Sequence, residues 1–372
     1  MSTSTTVTIP FRTLGEELGL SNLLLKSLSR LNYTYALPIQ SSSLPLILDA
    51  GRDCVLHSRT GSGKTVAYML PILEKIIRWK KNNQGKEGTK VREGRGGRAG
   101  GAKRRLIISR LFWTRFARPT TNNPSTRRFA PNRRSCSSQA LILLPTTDLV
   151  DQTSSVLTQL TYYTSTLITS CALDKSNPSR TRSLLLDSPT ILLGTPGSVV
   201  HFKDKIDLSS CDTVVVDESD LMLSHGYGQD IKAITQSMMP RIYQGVMVSA
   251  TMGKDNGKLK KWMLNKPAIV RVKDEHGKGE LKQFFLTVPE DDKGLVMYVF
   301  LKLGVVKQPC IVFANATDTC YRIKLLLEQF SVRCGVVNEQ MPSNVRRKVV
   351  EVSAERLAEP TKRRADNISV GN

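Results

Sequence analysis

Five short apolar runs constrain the fold of this chain more than anything else in it: DCVLHS (53–58), QALILLP (139–145), TILLGTP (190–196), DTVVVDE (212–218) and QGVMVSAT (244–251). Val, Ile and Leu follow one another in these runs without polar alternation. A strand with one face in water alternates; a strand covered on both faces does not. Segments of helical spacing separate the runs. The pattern predicts an α/β fold, a parallel sheet with helices on both faces. A second set of runs, QFFLTVP (283–289), PCIVFANA (309–316) and CGVVNEQ (334–340), with helix-like segments at 293–303 and 319–330, predicts a further, shorter α/β unit. The division falls near residues 272–282, rich in Gly and charge, giving units 1–272 and 281–372.

Charge is concentrated in one place. Of a formal net charge of +22, the stretch from Arg78 to Arg134 holds 18 Lys and Arg against Glu87 and Glu93, a net of +16, which leaves +6 for the rest. Residues 80–138 are dominated by Gly and Arg and poor in apolar residues, so the expectation is a disordered insertion within the first unit. LIISRLFWTRFARP within it is apolar enough to fold locally or touch a partner. A polyanion such as RNA suits the basic segment, although a solvated tether or a nuclear-import signal would carry the same composition. Seven cysteines form no CxxC pair and no metal-ligand spacing with the four histidines, so they read as reduced core thiols. No apolar run approaches the ~18–20 residues that span a bilayer. The expectation is a soluble, intracellular monomer without a membrane partner.

Chemistry enters at the end of the first run. Ser58, Arg59, Thr60, Gly61, Ser62, Gly63, Lys64 and Thr65 follow a strand directly and precede an apolar helix. Glycines let backbone N–H groups close on phosphates, and a helix beginning near Lys64 adds positive potential. Lys64 is placed to reach the phosphates of ATP and Thr65 to help hold Mg²⁺. At the end of a second run, Asp217 and Glu218 stand together, where a parallel sheet faces its ligand crevice. Asp217 would bind Mg²⁺ through water, and Glu218 would orient and deprotonate the attacking water. An acidic turn opening the next helix is the alternative for this pair.

The series Gly61–Thr65, Asp217-Glu218-Ser219-Asp220 and Ser249-Ala250-Thr251 resembles the DEAD-box RNA helicases of superfamily 2. Phe11 with Leu31-Asn32-Tyr33 and Pro38-Ile39-Gln40 resembles the Q motif of that family; by resemblance Gln40 reads the adenine and Phe11 stacks on it. Pro145-Thr146-Thr147-Asp148-Leu149 with Gln152 resembles motif Ia, Thr195-Pro196-Gly197 motif Ib, and Ile311–Asn315 motif IV. The resemblance implies a RecA-like ATP-binding domain followed by a second, partial RecA-like domain. It also implies RNA contacts at Pro145, Thr146, Thr195, Pro196 and Gly197, and coupling of Asp220 to Ser249 or Thr251. MPRIYQGVMVSAT, CYRIKLLLEQF and VNEQMP resemble the nucleolar members acting in large ribosomal subunit assembly. That resemblance implies an ATP-dependent RNA helicase in the nucleus and nucleolus, with pre-ribosomal RNA as substrate and assembly factors as partners.

Departures bear on how much activity carries over. DESD replaces DEAD. Thr147 and Ser198 stand where the family carries cations, each swap removing a positive charge from the RNA path. Asn32 stands where Gly is usual. The sequence contains no HRxGRxxR, the motif VI pattern, and motif V is missing as well. Such arginines are worth roughly 10³–10⁵ in rate in arginine-finger enzymes. These 372 residues alone are therefore expected to bind ATP and RNA while hydrolysing and unwinding poorly.

Overall fold

The computed structural model describes residues 9–90, 136–251, 256–272, 282–306 and 310–358. It divides into two compact units, Met1–Gly277 and Lys278–Asn372.

In the first unit the chain opens with strand β1 (Ile9–Pro10), helices α1 (Phe11–Leu18) and α2 (Asn22–Arg30), strand β2 (Tyr35–Ala36) and helix α3 (Pro38–Leu48). Strand β3 (Cys54–His57) leads into the long helix α4 (Lys64–Lys90). Strands β4 (Cys136–Ser137) and β5 (Ala140–Leu143), helix α5 (Thr147–Leu160), strand β6 (Ser170–Leu173), helix α6 (Pro178–Leu186) and strand β7 (Ile191–Gly194) follow. Helix α7 (Pro196–His201), strands β8 (Ile206–Asp207) and β9 (Thr213–Val216), helices α8 (Ser219–Ser224) and α9 (Gly228–Ala233), strand β10 (Gln244–Ser249), helix α10 (Asn256–Met263) and strand β11 (Ala268–Arg271) complete it.

Seven of these strands form one sheet in the order β11-β3-β10-β9-β5-β7-β6, with every pairing parallel. The five apolar runs supply β3, β5, β7, β9 and β10, whose residues are buried almost throughout. Consecutive residues go to opposite faces: Cys54 and Leu56 belong to one core cluster and Val55 to the other. Two filled faces are the physical reason for the unbroken apolar runs. Register then sets the site. His57 pairs with Ser249, Val216 with Met247 and with Leu143, and Leu143 with Gly194. The carboxyl ends of β3, β10, β9, β5 and β7 therefore share one edge.

Two expectations need correction. Residues 80–90 are not irregular but continue α4, because extending an anchored helix needs no new nucleus. Lys80 Nζ donates to Leu167 O and to Thr190 Oγ1 across the unit. The disorder expected for 91–135 falls outside the described residues. In the second unit, α11 (Lys293–Lys302), α12 (Thr317–Gln329) and α13 (Ser343–Ala358) form. The three strands expected there do not form among the described residues: 283–289, 310–316 and 334–340 carry no strand pairing. Phe285 and Phe313 are 93% and 91% exposed. An apolar run becomes a buried strand only when neighbours satisfy its backbone and cover both its faces. No helix among the described residues is long and apolar enough to cross a membrane.

Candidate nucleotide-binding site

The loop from Ser58 to Gly63 leaves β3 at the carboxyl edge and enters α4 at Lys64. Gly61 and Gly63 hold φ of +78° and +80°, a region that glycine enters at little cost. Lys64 is 8% exposed, and its ammonium donates to Ser58 O at 2.6 Å and Arg59 O at 3.1 Å. Ser58 Oγ and Ser62 Oγ lie 2.6 Å apart. The loop thus curls around its own lysine, with the charge held at the centre of the backbone arc. Gln40, 4% exposed, is a strut beneath it: Oε1 accepts Leu37 N–H at 2.8 Å and Nε2 donates to Gly63 O at 3.1 Å.

Asp217 and Glu218 leave β9 on the same edge. Asp217 N–H donates to Leu143 O at 3.0 Å, which keeps the turn registered with β5. Asp217 is 6% exposed; Oδ1 accepts Glu218 N–H and Oδ2 accepts the Tyr68 hydroxyl, both at 2.9 Å. Burial pushes its carboxyl up, against hydrogen bonds from Tyr68 and Glu218 and the charge of Lys64. Burial also raises Glu218, helped by the Asp217 charge beside it and opposed by Lys64. Glu218 has φ +48° and ψ +50°, a left-handed conformation costing a non-glycine residue roughly 1 kcal/mol. Lys64, Asp217 and Glu218 therefore stand at one carboxyl edge of the sheet, near enough for the Lys64 charge to act on both carboxyls. Tyr68 joins them unannounced, although a phenol one turn beyond Lys64 in an apolar stretch of helix signals a polar partner opposite.

Asp220 reaches across to β10. Its Oδ2 accepts Thr251 N–H at 3.0 Å and the Thr251 hydroxyl at 2.8 Å. Burial pushes the Asp220 carboxyl up, but these bonds outweigh it and hold it below the usual range. Ser249 Oγ donates to Thr251 O, bracing the same turn.

Further along the edge, Pro145 is buried and Thr146 caps α5, its Oγ1 accepting Leu149 N–H at 3.3 Å. Thr195 caps α7, its Oγ1 accepting Ser198 N–H at 3.2 Å, and Pro196 is buried behind it. Gly197 lies close against an exposed lysine: a Cβ added there would sit 2.9 Å from Lys175 Nζ. Lys175 is invisible to motif reading because the β6–α6 loop carries no pattern of its own.

Phe11, at the start of α1, is 3% exposed and belongs to the core cluster that also holds Leu14, Leu24 and Ile39.

Residues 37–259 match the DEAD/DEAH box helicase family. This chain belongs to that family. It is 34% identical over 316 residues to the ATP-dependent RNA helicase dbp9 of Schizosaccharomyces pombe, covering 84% of this chain and 44% of that protein. It is 31% identical over 346 residues to the ATP-dependent RNA helicase DBP9 of Vanderwaltozyma polyspora, covering 90% and 50%. The chain thus spans about half the length of the curated relatives it matches. A solved structure of S. cerevisiae Dbp5 bound to RNA and ADP BeF3 shares the fold, with TM-score 0.62 and 19% identity over 92% of this chain and 73% of that one.

Oxygen donors fit the ion that a helicase-family nucleotide site implies. Thr65 and Asp217 offer a hydroxyl and a carboxylate, the hard ligands Mg²⁺ prefers. The space over Gly61, with nothing within 4 Å of an added Cβ, leaves the loop open to phosphate.

Proposed function

We propose that this chain is the nucleotide-binding part of an ATP-dependent, RNA-stimulated helicase, acting on pre-ribosomal RNA in the nucleolus. The observation that carries the reading is the convergence of Lys64 with the Asp217–Glu218 pair at one edge of a parallel sheet. Lys64 would exchange its two carbonyl partners for the β- and γ-phosphates, while the loop from Ser58 to Gly63 donates backbone N–H groups to them. Thr65 and Asp217 would hold Mg²⁺, which when bound neutralises charge on the transferring phosphoryl group. Glu218 would take the proton of the attacking water; its raised carboxyl makes it a better base than an exposed glutamate. Gln40, already seated on Gly63, would carry adenine recognition to the loop. Asp220 and Thr251 would report the state of that pair to the next strand.

Along the same edge, the capped starts of α5 and α7 would take RNA phosphates. Lys175 over Gly197 would supply a cation where Ser198 supplies none. The nucleolar setting and assembly-factor partners rest on the subfamily resemblance. A second reading, binding of ATP and RNA without unwinding by these residues alone, is favoured by the second unit, which among the described residues forms three helices and no strand.

Lys64→Ala tests the site. Affinity for a fluorescent ATP analogue is expected to fall at least about tenfold when one charge-assisted hydrogen bond to phosphate is removed. Unchanged affinity would remove Lys64 from the site and the reading with it. RNA-stimulated phosphate release separates helicase-type turnover from simple binding.

A further inference from the structure

We propose that Tyr68 is a positioning residue for the metal shell of this site, its hydroxyl fixing the orientation in which the Asp217 carboxylate meets Mg²⁺-bound water. The assignment rests on the nucleotide reading above and adds a residue to it.

Tyr68 is fully buried on α4, between Ala67 and Met69, both buried as well. Packing alone asks for phenylalanine, which has nearly the same volume and no polar atom. A hydroxyl buried without a partner costs about 1–3 kcal/mol. Here the partner is specific: Asp217 Oδ2 at 2.9 Å, just past the end of β9 and 149 residues away in sequence.

The geometry locks the carboxylate from both sides. Oδ1 accepts Glu218 N–H from its own turn, and Oδ2 accepts Tyr68 from the helix that carries the phosphate loop. A carboxylate held at one oxygen can still swing about its last bond; held at both by different elements, it cannot. Thr65 stands three residues before Tyr68 on the same helix, near enough for its hydroxyl to act on the Tyr68 phenol. The phenol is therefore bonded to one of the two oxygen groups proposed to face the ion and lies beside the other. Partners of this kind orient a metal ligand without touching the metal, and removing them costs roughly 10–100-fold in metal affinity. The lower end applies here, because Asp217 would act through water.

A purely structural Tyr68 makes a different prediction, so the two can be separated. The test uses the full 372-residue chain and a fluorescent, non-hydrolysable ATP analogue, titrated in EDTA and across a Mg²⁺ series. For Tyr68→Phe, the Mg²⁺ concentration at half-maximal tightening should rise about tenfold, while affinity in EDTA changes by less than about twofold. Tyr68→Met, which fills similar space without a hydroxyl, should give the same shift. A Mg²⁺ midpoint within about twofold of the parent in both variants would overturn the proposal. So would equal loss of affinity with and without Mg²⁺, since that is what a disturbed helix would produce. Lys64→Ala runs beside them: if it keeps its affinity in EDTA, the nucleotide reading itself fails, and this assignment with it.

Discussion

Gly63→Ala probes the point where the phosphate loop rests on Gln40. Its φ of +80° costs an L-residue roughly 1 kcal/mol. The added Cβ would lie 2.5 Å from Gln40 Nε2 and 2.7 Å from Leu37 Cδ1, closer than such atoms approach. The Gln40 amide must withdraw and surrender its bond to Gly63 O, a further loss of about 1 kcal/mol. Displacing Leu37 brings the total to about 2–3 kcal/mol. Gly61→Ala is the internal control: its φ of +78° incurs the same backbone strain, but nothing lies within 4 Å, so only about 1 kcal/mol is expected. Urea unfolding of the two variants should therefore show Gly63→Ala as the less stable by about 1–2 kcal/mol. Adding Gln40→Ala to Gly63→Ala removes the obstructing amide and should recover part of that gap, an interaction a double-mutant cycle reads directly. Equal destabilisation by the two glycine substitutions, or strict additivity with Gln40→Ala, would refute the idea that Gln40 supports the loop by touching it.

Three other perturbations follow from the same structure. Glu74, 2% exposed, accepts Ser21 N–H at 2.8 Å and Arg78 Nε at 2.9 Å, while Arg78 donates to Leu18 O and Gly19 O. Glu74→Ala should lower unfolding free energy by about 2 kcal/mol, discounted because Arg78 is 40% exposed; a loss under about 0.5 would show that α1 and α2 are not clamped there. Lys75 donates to Gln244 Oε1, and burial pushes its ammonium down to about 8, against the charges of Asp212, Cys54 and Asp53. The folded chain then binds fewer protons than the unfolded one between pH 8 and 10.5, so stability from this group rises with pH across that window, by up to about 3 kcal/mol. Melting curves of Lys75→Met should lack that rise, and an unchanged pH slope would contradict it. Excising 91–135 removes 13 Lys and Arg against Glu93. If the segment touches RNA phosphates, the slope of log affinity against log salt should flatten by roughly one unit for each phosphate no longer neutralised; an unchanged slope would assign the charge to another role.

Several features were legible in the sequence because each answers a local requirement. The five unbroken apolar runs record strands covered on both faces. The glycines at 61 and 63 record left-handed backbone, and Asp217-Glu218 records the carboxyl end of a strand. What depends on two distant segments meeting was not legible. No pattern in α4 names Asp217 as the partner of Tyr68, none near Gln40 names Gly63, and none near Phe11 shows how deeply its ring is buried. The second unit shows the same limit from the other side. Its apolar runs have the composition of buried strands, yet among the described residues they pair with nothing. Composition states what a segment can bury, whereas strand order, register and side-chain partners exist only once the sheet brings remote residues within a few ångströms of one another.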